Sequence, residues 1–170
     1  MEQVIASCKK GNNDSFTELI ALYSKRLYGY YYRLTGNAAI ADDLLSQLFV
    51  KLVKAIRSYR GDSFDAWLFK VASNVFYDHL RAKKRDQTLL ENKQNKLESE
   101  SKQDEHDGEI FDQLQKNLKK LDSDTRELII ARFYSQMSFK EIAQQRNEPI
   151  GTTLSKVHRG LKKLRKLMEK

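Results

Sequence analysis

The sequence predicts an all-α protein: two small helical domains joined by a flexible acidic linker, the C-terminal one a helix-turn-helix. Three observations carry that expectation. One proline and seven glycines in 170 residues leave few helix breakers, and strand-like alternation is nearly absent. Apolar residues instead recur at helical spacing in one segment after another. Charge divides the chain in three. Residues 1–85 carry 14 Lys+Arg against 8 Asp+Glu, residues 86–108 carry 3 against 7, and residues 109–170 carry 14 against 8.

In the first block, Asp14 or Ser15 caps a helix whose apolar positions are Phe16, Leu19, Ile20, Tyr23, Leu27, Tyr31 and Leu34, closed by Gly36-Asn37. A second helix is expected from about Ala38 to Ser58, with Ala41, Leu44, Leu45, Leu48, Phe49, Leu52, Val53 and Ile56 inward. Its opposite face holds Asp43, Gln47, Val50 and Lys54, an apolar valine amid polar neighbours. That valine is either an ordinary exposed side chain or part of a protein-docking surface. A polar loop, Tyr59-Arg60-Gly61-Asp62-Ser63, leads to a third helix from about Phe64 to Arg81. Phe64, Trp67, Leu68, Val71, Ala72 and Val75 form its expected core side, with Lys70, Ser73, Asn74, Tyr77 and Arg81 opposite and Lys83, Lys84 and Arg85 beyond. Cations, an amide and an aromatic ring on one face suit single-stranded nucleic acid. The plainer reading is a solvated face with a basic end that complements the helix dipole.

Residues 86–108 are polar and acidic, too poor in apolar side chains to offset the entropy of ordering them. As a coil, such a segment averages roughly 25 Å end to end and reaches about 75–80 Å extended. The alternative is a solvated extension of a flanking helix. The second block opens with Ile110, Phe111, Leu114, Leu118 and Leu121 at amphipathic spacing. Asp122, Ser123 or Asp124 caps the next helix, with Leu128, Ile129, Ala131, Phe133 and Tyr134 as its expected core.

The strongest signal lies in Ser138–Lys166. Ser138 with Glu141 has the spacing of a capping box. Asn147 tolerates a left-handed backbone and Pro149 cannot continue a helix, so a tight turn is expected between a short helix and a longer one starting near Gly151. On that longer helix Thr153, Leu154, Val157, Leu161, Leu164 and Met168 share one face. Ser155, Arg159, Lys162 and Lys166 lie opposite, flanked by Lys156, His158 and Lys163. A helix so divided fits the DNA major groove, its early residues at base edges and its cations on phosphates.

The net charge of +8 suggests an anionic partner without choosing between nucleic acid and membrane surface. No apolar run reaches the length of a membrane span and the N-terminus lacks a signal-peptide core, so the expected location is cytoplasmic, with no membrane insertion. Cys8 is the only cysteine, and His79, His106 and His158 have no metal-ligand spacing. No phosphate-cradling loop or nucleophile–base arrangement stands out. The expectation is therefore a non-enzyme with no cofactor and no metal.

Several stretches together resemble a known family. Arg33-Leu-Thr-Gly-Asn followed by Ala41-Asp-Asp-Leu-Leu-Ser-Gln-Leu-Phe is similar to the polymerase-docking helix of bacterial sigma factors of the sigma-70 family, in the small extracytoplasmic-function (ECF) group. Ala66-Trp-Leu-Phe-Lys-Val-Ala-Ser-Asn, with Asp78 and Arg81, resembles the promoter-melting helix of that group. Leu121–Arg126, Glu141-Ile-Ala and Gly151-Thr-Thr-Leu-Ser-Lys-Val-His-Arg resemble its upstream-element reader. The resemblance covers essentially the whole chain.

The resemblance implies a protein that binds core RNA polymerase and promoter DNA and is held by an anti-sigma partner. It makes Asp43, Gln47, Val50 and Lys54 polymerase-binding residues. It makes Tyr59, Arg60, Gly61, Asp62, Ser63, Lys70, Asn74, Tyr77, Arg81 and Lys84 contacts to the minus-ten element. Thr152, Ser155, Lys156, Arg159, Lys162 and Lys163 become contacts to the minus-thirty-five element. On this pattern residues 1–85 correspond to sigma region 2 and 109–170 to region 4, with 86–108 threading between them. Some positions depart from it: Ser73 replaces a common arginine, Asp122 a proline, Asn147 a turn glycine, Thr153 an apolar β-branched residue, and Leu154 a polar one. Leu154 either joins the core or makes apolar contacts in the groove. Two rival readings stay open from the sequence: a polymerase-independent helix-turn-helix regulator, and a sigma-like polymerase-binding protein that needs a second subunit.

Overall fold

The computed structural model describes residues 1–61, 63–91 and 109–169, and the chain there is helical throughout apart from its turns. Eight α-helices follow in order among the described residues: α1 (Glu2–Lys9), α2 (Asn13–Thr35), α3 (Ala38–Ala55), α4 (Phe64–Glu91), α5 (Glu109–Lys119), α6 (Ser123–Phe133), α7 (Phe139–Arg146) and α8 (Ile150–Met168), with a 3-10 turn at Ile56–Ser58. They form two compact units. One gathers Met1–Leu27 with the described part of Asp42–Lys102, the other Tyr28–Ala41 with the described part of Gln103–Lys170. The segment expected as a linker lies outside the described residues from residue 92 onward, and Asp62 lies outside them too. Residues 86–91 belong to α4, which runs ten residues past the expected end at Arg81. Nothing in Ala82–Glu91 breaks a helix, and Ala, Lys, Arg, Gln, Leu and Glu all favour one.

The first unit has a helix that periodicity did not predict. α1 spans two turns and buries only Ile5 and Cys8. It packs on the 3-10 turn, where the Lys9 ammonium donates to the Tyr59 carbonyl at 2.8 Å and lies 5.0 Å over the Tyr59 ring. At the start of α2 the side chain of Asn12, rather than Asp14 or Ser15, supplies the cap, accepting from the Ser15 amide at 2.9 Å. Leu19, Leu27, Leu44, Leu48, Leu52, Ile56, Leu68, Ala72 and Val75 are fully buried, each large side chain contributing about 1.5–3 kcal/mol by leaving water. Phe69 and Phe76 join them, widening the α4 core side beyond the expected stripe, while Trp67 and Val71 are only half-buried. Val53 was expected inward and is 50% exposed, one residue beyond the Leu44–Leu48–Leu52 line that α3 buries. Asp65, in the first turn of α4, ties that helix to α2. It accepts from the Tyr23 hydroxyl and the Arg26 guanidinium, both at 2.5 Å. Burial works to raise the Asp65 carboxyl, but those two hydrogen bonds and the Arg26 charge outweigh it and hold it below its ordinary value.

The second unit is centred on α8, which packs on α5, α6 and α7. Leu118, Leu121, Ile129 and Leu164 form its inner cluster, with Leu114, Leu161, Leu167 and Met168 around them. Asp122 caps α6, accepting from the Thr125 amide at 2.8 Å. This residue stands where the family pattern has proline, and the cap is a sufficient local reason for it. Arg126 satisfies carbonyls that helix ends leave open: it donates to Leu118, Lys119 and Leu121 at the end of α5 and to Leu34 at the end of α2. Leu128, Ile129, Ile130 and Ala131 are buried in succession. Phe133, expected in that core, is instead 57% exposed. It is the final residue of α6, where helical spacing continues but the covering neighbours do not, and the Arg132 guanidinium lies 5.9 Å from its ring. Ile130→Ala is expected to cost about 2–5 kcal/mol in urea unfolding, and Phe133→Ala under about 1 kcal/mol. Equal losses would contradict the placement of Phe133 outside the core.

Candidate nucleic-acid interface

The helix-turn-helix forms for reasons that are local at each end. Ser138 Oγ accepts from the Glu141 amide at 3.2 Å and Glu141 Oε2 accepts from the Ser138 amide at 2.7 Å, so both halves of the expected capping box are made. α7 ends at Asn147, whose backbone is left-handed with φ 52° and ψ 46°. Pro149 then sits at the N-cap of α8 with its φ of −60° already suited to the helix.

What holds the two helices at a fixed angle is a cluster of charges that sequence spacing did not reveal. The Arg146 guanidinium, with its side chain 13% exposed, reaches back to α6, donating to Glu127 Oε2 at 2.8 Å and to the Asp124 carboxylate. Its Nε lies 3.6 Å from Glu148 Oε1. Glu148, in the turn, also accepts from the Thr153 hydroxyl at 2.7 Å and the Lys156 ammonium at 2.6 Å, both on α8. The Glu127 side chain is almost fully buried, which a carboxylate tolerates only when paired. Thr153 is fully buried, and its departure from an apolar β-branched residue is thereby explained: the hydroxyl is the hydrogen-bond partner of Glu148. Burial works to raise the Glu148 carboxyl, yet the hydrogen bonds from Lys156 and Thr153 and the charges of Lys156 and Arg146 hold it below its ordinary 4.5.

α8 buries Thr153, Val157, Gly160 and Leu164. At Gly160 a Cβ would stand 2.5 Å from Thr125 Cγ2 and 3.1 Å from Ile129 Cδ1, so the absence of a side chain sets how closely α8 lies on α6. Thr152, Ser155, Arg159, Lys162 and Lys163 are exposed on the opposite side, as expected. Lys156 differs from them: it is half-buried, with its ammonium on Glu148 and 3.9 Å from Asp124. Leu154, placed on the core face by spacing, is 44% exposed and lies outside the buried stripe.

The candidate residues of the first unit divide in the same way. Asp43, Gln47, Val50 and Lys54 are all exposed along α3, and Val50 is 68% exposed. Lys70, Asn74, Arg81 and Lys84 are exposed along α4, with Tyr77 half-buried among them. Arg81 is paired at 2.5 Å with Asp78, which also binds Lys51 at 2.6 Å. In the loop, Arg60 and Gly61 are exposed. Tyr59 and Ser63 serve the chain itself. The Tyr59 ring is buried against Phe64 and Trp67, and Ser63 Oγ caps α4 by accepting from the Ala66 amide at 3.2 Å. Lys9, which no motif flagged, holds Tyr59 through its carbonyl and its ring.

Two basic helical units, one carrying a helix-turn-helix, now have a match. Residues 19–86 match sigma-70 region 2 and residues 118–166 match sigma-70 region 4. The chain is 29% identical to the ECF RNA polymerase sigma factor SigW of Bacillus subtilis (strain 168), over 95% of this chain and 93% of that protein. It is 30% identical to the ECF RNA polymerase sigma factor EcfG of Rhodopseudomonas palustris (strain TIE-1), over 91% and 86%. Its fold resembles that of the sigma factor RpoE of Bartonella quintana, solved in complex with the anti-sigma factor NepR, with a TM-score of 0.76 at 24% identity over 91% and 96% of the two chains. The chain belongs to the sigma-70 family of RNA polymerase sigma factors. Within that family it falls in the ECF group.

The charge cluster has a pH signature. Because the folded state holds the Glu148 carboxyl below its unfolded value near 4.5, its contribution is complete above that pH and is lost as pH falls through the folded value. Wild type should therefore exceed Glu148→Gln in stability at pH 7, and the gap measured by urea unfolding should narrow as pH falls below 4.5. A gap independent of pH would contradict the pairing.

Proposed function

We propose that this chain joins core RNA polymerase and directs it to promoters by engaging two DNA elements, adding binding energy rather than a catalytic step. The observation that carries the reading is the locked helix-turn-helix whose open face is cationic, on one chain with the first unit, whose α3 and α4 faces stand exposed. In this reading residues 1–85 meet the polymerase and the minus-ten element, residues 109–170 the minus-thirty-five element, and residues 86–108 connect them.

Asp43, Gln47, Val50 and Lys54 present one face of α3 to the polymerase, an exposed valine ringed by polar groups. Thr152 and Ser155 reach base edges from the start of α8, while Arg159, Lys162 and Lys163 hold phosphates. Lys156 acts through Glu148, steadying the turn. On α4, Lys70, Asn74, Arg81 and Lys84 follow a separated strand and Tyr77 offers a ring to a base. Arg60, Gly61 and Asp62 receive a base flipped from the duplex, on a loop anchored by Tyr59 and Ser63. Extracting that base costs a few kcal/mol, and stacking returns about 1–3 kcal/mol per base, so a small number of contacts balances the step. The reading places the chain in the cytoplasm, and the NepR complex of the Bartonella relative supports an anti-sigma partner here as well.

Two variants test the two surfaces. Asp43→Ala with Gln47→Ala should lower affinity for sigma-free core polymerase in a pull-down titration, and wild-type affinity would show that the docking face lies elsewhere. Arg159→Ala should reduce output from a promoter that depends on its upstream element by about fivefold or more, with the circular dichroism of the folded chain retained. Unchanged output would remove α8 from the groove.

A further inference from the structure

We infer that Leu154 is a specificity-determining residue that reads the C5-methyl group of thymine in the upstream duplex element, with Ile150 beside it. This rests on the DNA-binding reading of α8 above and adds which base the first turns of that helix select.

Leu154 and Ile150 are 44% and 45% exposed, and neither belongs to the stripe that α8 buries. Four residues apart, they are neighbours on one side of the helix, at the N-terminal end where a helix-turn-helix meets base edges. The hydrogen-bonding groups of the same two turns are few. The Thr153 hydroxyl and the Lys156 ammonium are both engaged with Glu148, which leaves the hydroxyls of Thr152 and Ser155. Residues 150–156 contain no Arg, Asn or Gln, so this stretch has none of the forks that read guanine or adenine through paired bonds. What it does present is apolar surface, and in the major groove the distinctive apolar feature of a base pair is the thymine methyl.

Gly151 supplies an independent observation. A Cβ there would meet nothing within 4 Å, so the packing of the chain does not require a glycine. Glycine nonetheless favours a helix less than alanine does. Its lack of a side chain lets the backbone between Ile150 and Leu154 come close to the groove floor, as apolar contact with a methyl demands. Arg159, Lys162 and Lys163, exposed farther along α8, complement the phosphates that border the groove.

The test uses the full chain assembled with core polymerase, presented with a pool of duplexes randomised upstream of a fixed start region. The enriched upstream box should contain thymine. Each thymine is then replaced by deoxyuridine, which removes only the methyl group. At one or two positions that replacement should weaken binding of the wild-type assembly about fourfold. With Leu154→Ala the same replacement should change binding less than about 1.5-fold, and Leu154→Met should keep most of the methyl sensitivity. A box in which every replacement is neutral, or a Leu154→Ala assembly as sensitive as wild type, would overturn the inference while leaving the sigma-factor reading intact. Failure to enrich any box would overturn both.

Discussion

The guanidinium of Arg146 is the point on which the helix-turn-helix of this molecule turns. It draws two carboxylates of α6 and one of the turn onto a single cation, and Glu148 passes the connection on to Thr153 and Lys156 of α8. Replacing such a network with well-packed apolar side chains often costs little, but removing one member leaves a buried charge uncompensated and typically costs about 3–5 kcal/mol. Its value here is geometric. α6, the turn and α8 are fixed together by directed bonds, so the exposed side of α8 is presented at one angle. Gly160 sets the depth of the same contact by letting α8 sink onto Thr125 and Ile129. Depth and angle together determine which side chains of α8 stand exposed.

The first unit solves a related problem with different chemistry. In its loop before α4, Arg60 and Gly61 stand exposed. Tyr59 and Ser63 fix the two ends, one by aromatic packing and the other by capping, and Lys9 of α1 grips Tyr59 by its carbonyl and its ring. Below the loop, Asp65 bonds α4 to Tyr23 and Arg26 of α2. The exposed side chains of α3 and α4 therefore project from helices tied to the core by both apolar burial and polar bonds.

Much of this was legible in the sequence where the cause is local. The capping box at Ser138 and Glu141, the left-handed Asn147 and the basic side of α8 are decided by residues within a few positions of one another. Relations across the fold were not legible. Arg146 lies 22 residues from Asp124 and 19 from Glu127, and nothing in that spacing marks them as partners. The same blindness hid the reason for Thr153 and put Lys156 among the free cations, since both are explained by Glu148. Helical periodicity gives the direction of a side chain but not how far its neighbours extend. Val53 and Phe133 sit at the edge of a buried stripe and the end of a helix, where spacing points inward and the cover stops, and Leu154, for which spacing leaves core and groove both open, lies outside the core. α1 escaped because two turns with two buried residues make too short a pattern to register.

The most direct measurement of the central claim is a transcription assay with this chain, sigma-free core RNA polymerase and sheared genomic DNA of the source organism, with transcript 5′ ends mapped. The account predicts discrete start sites that share two spaced upstream boxes and that vanish when the chain is omitted. Scattered or absent starts, in an assembly where the chain is shown to be bound to core polymerase, would contradict it.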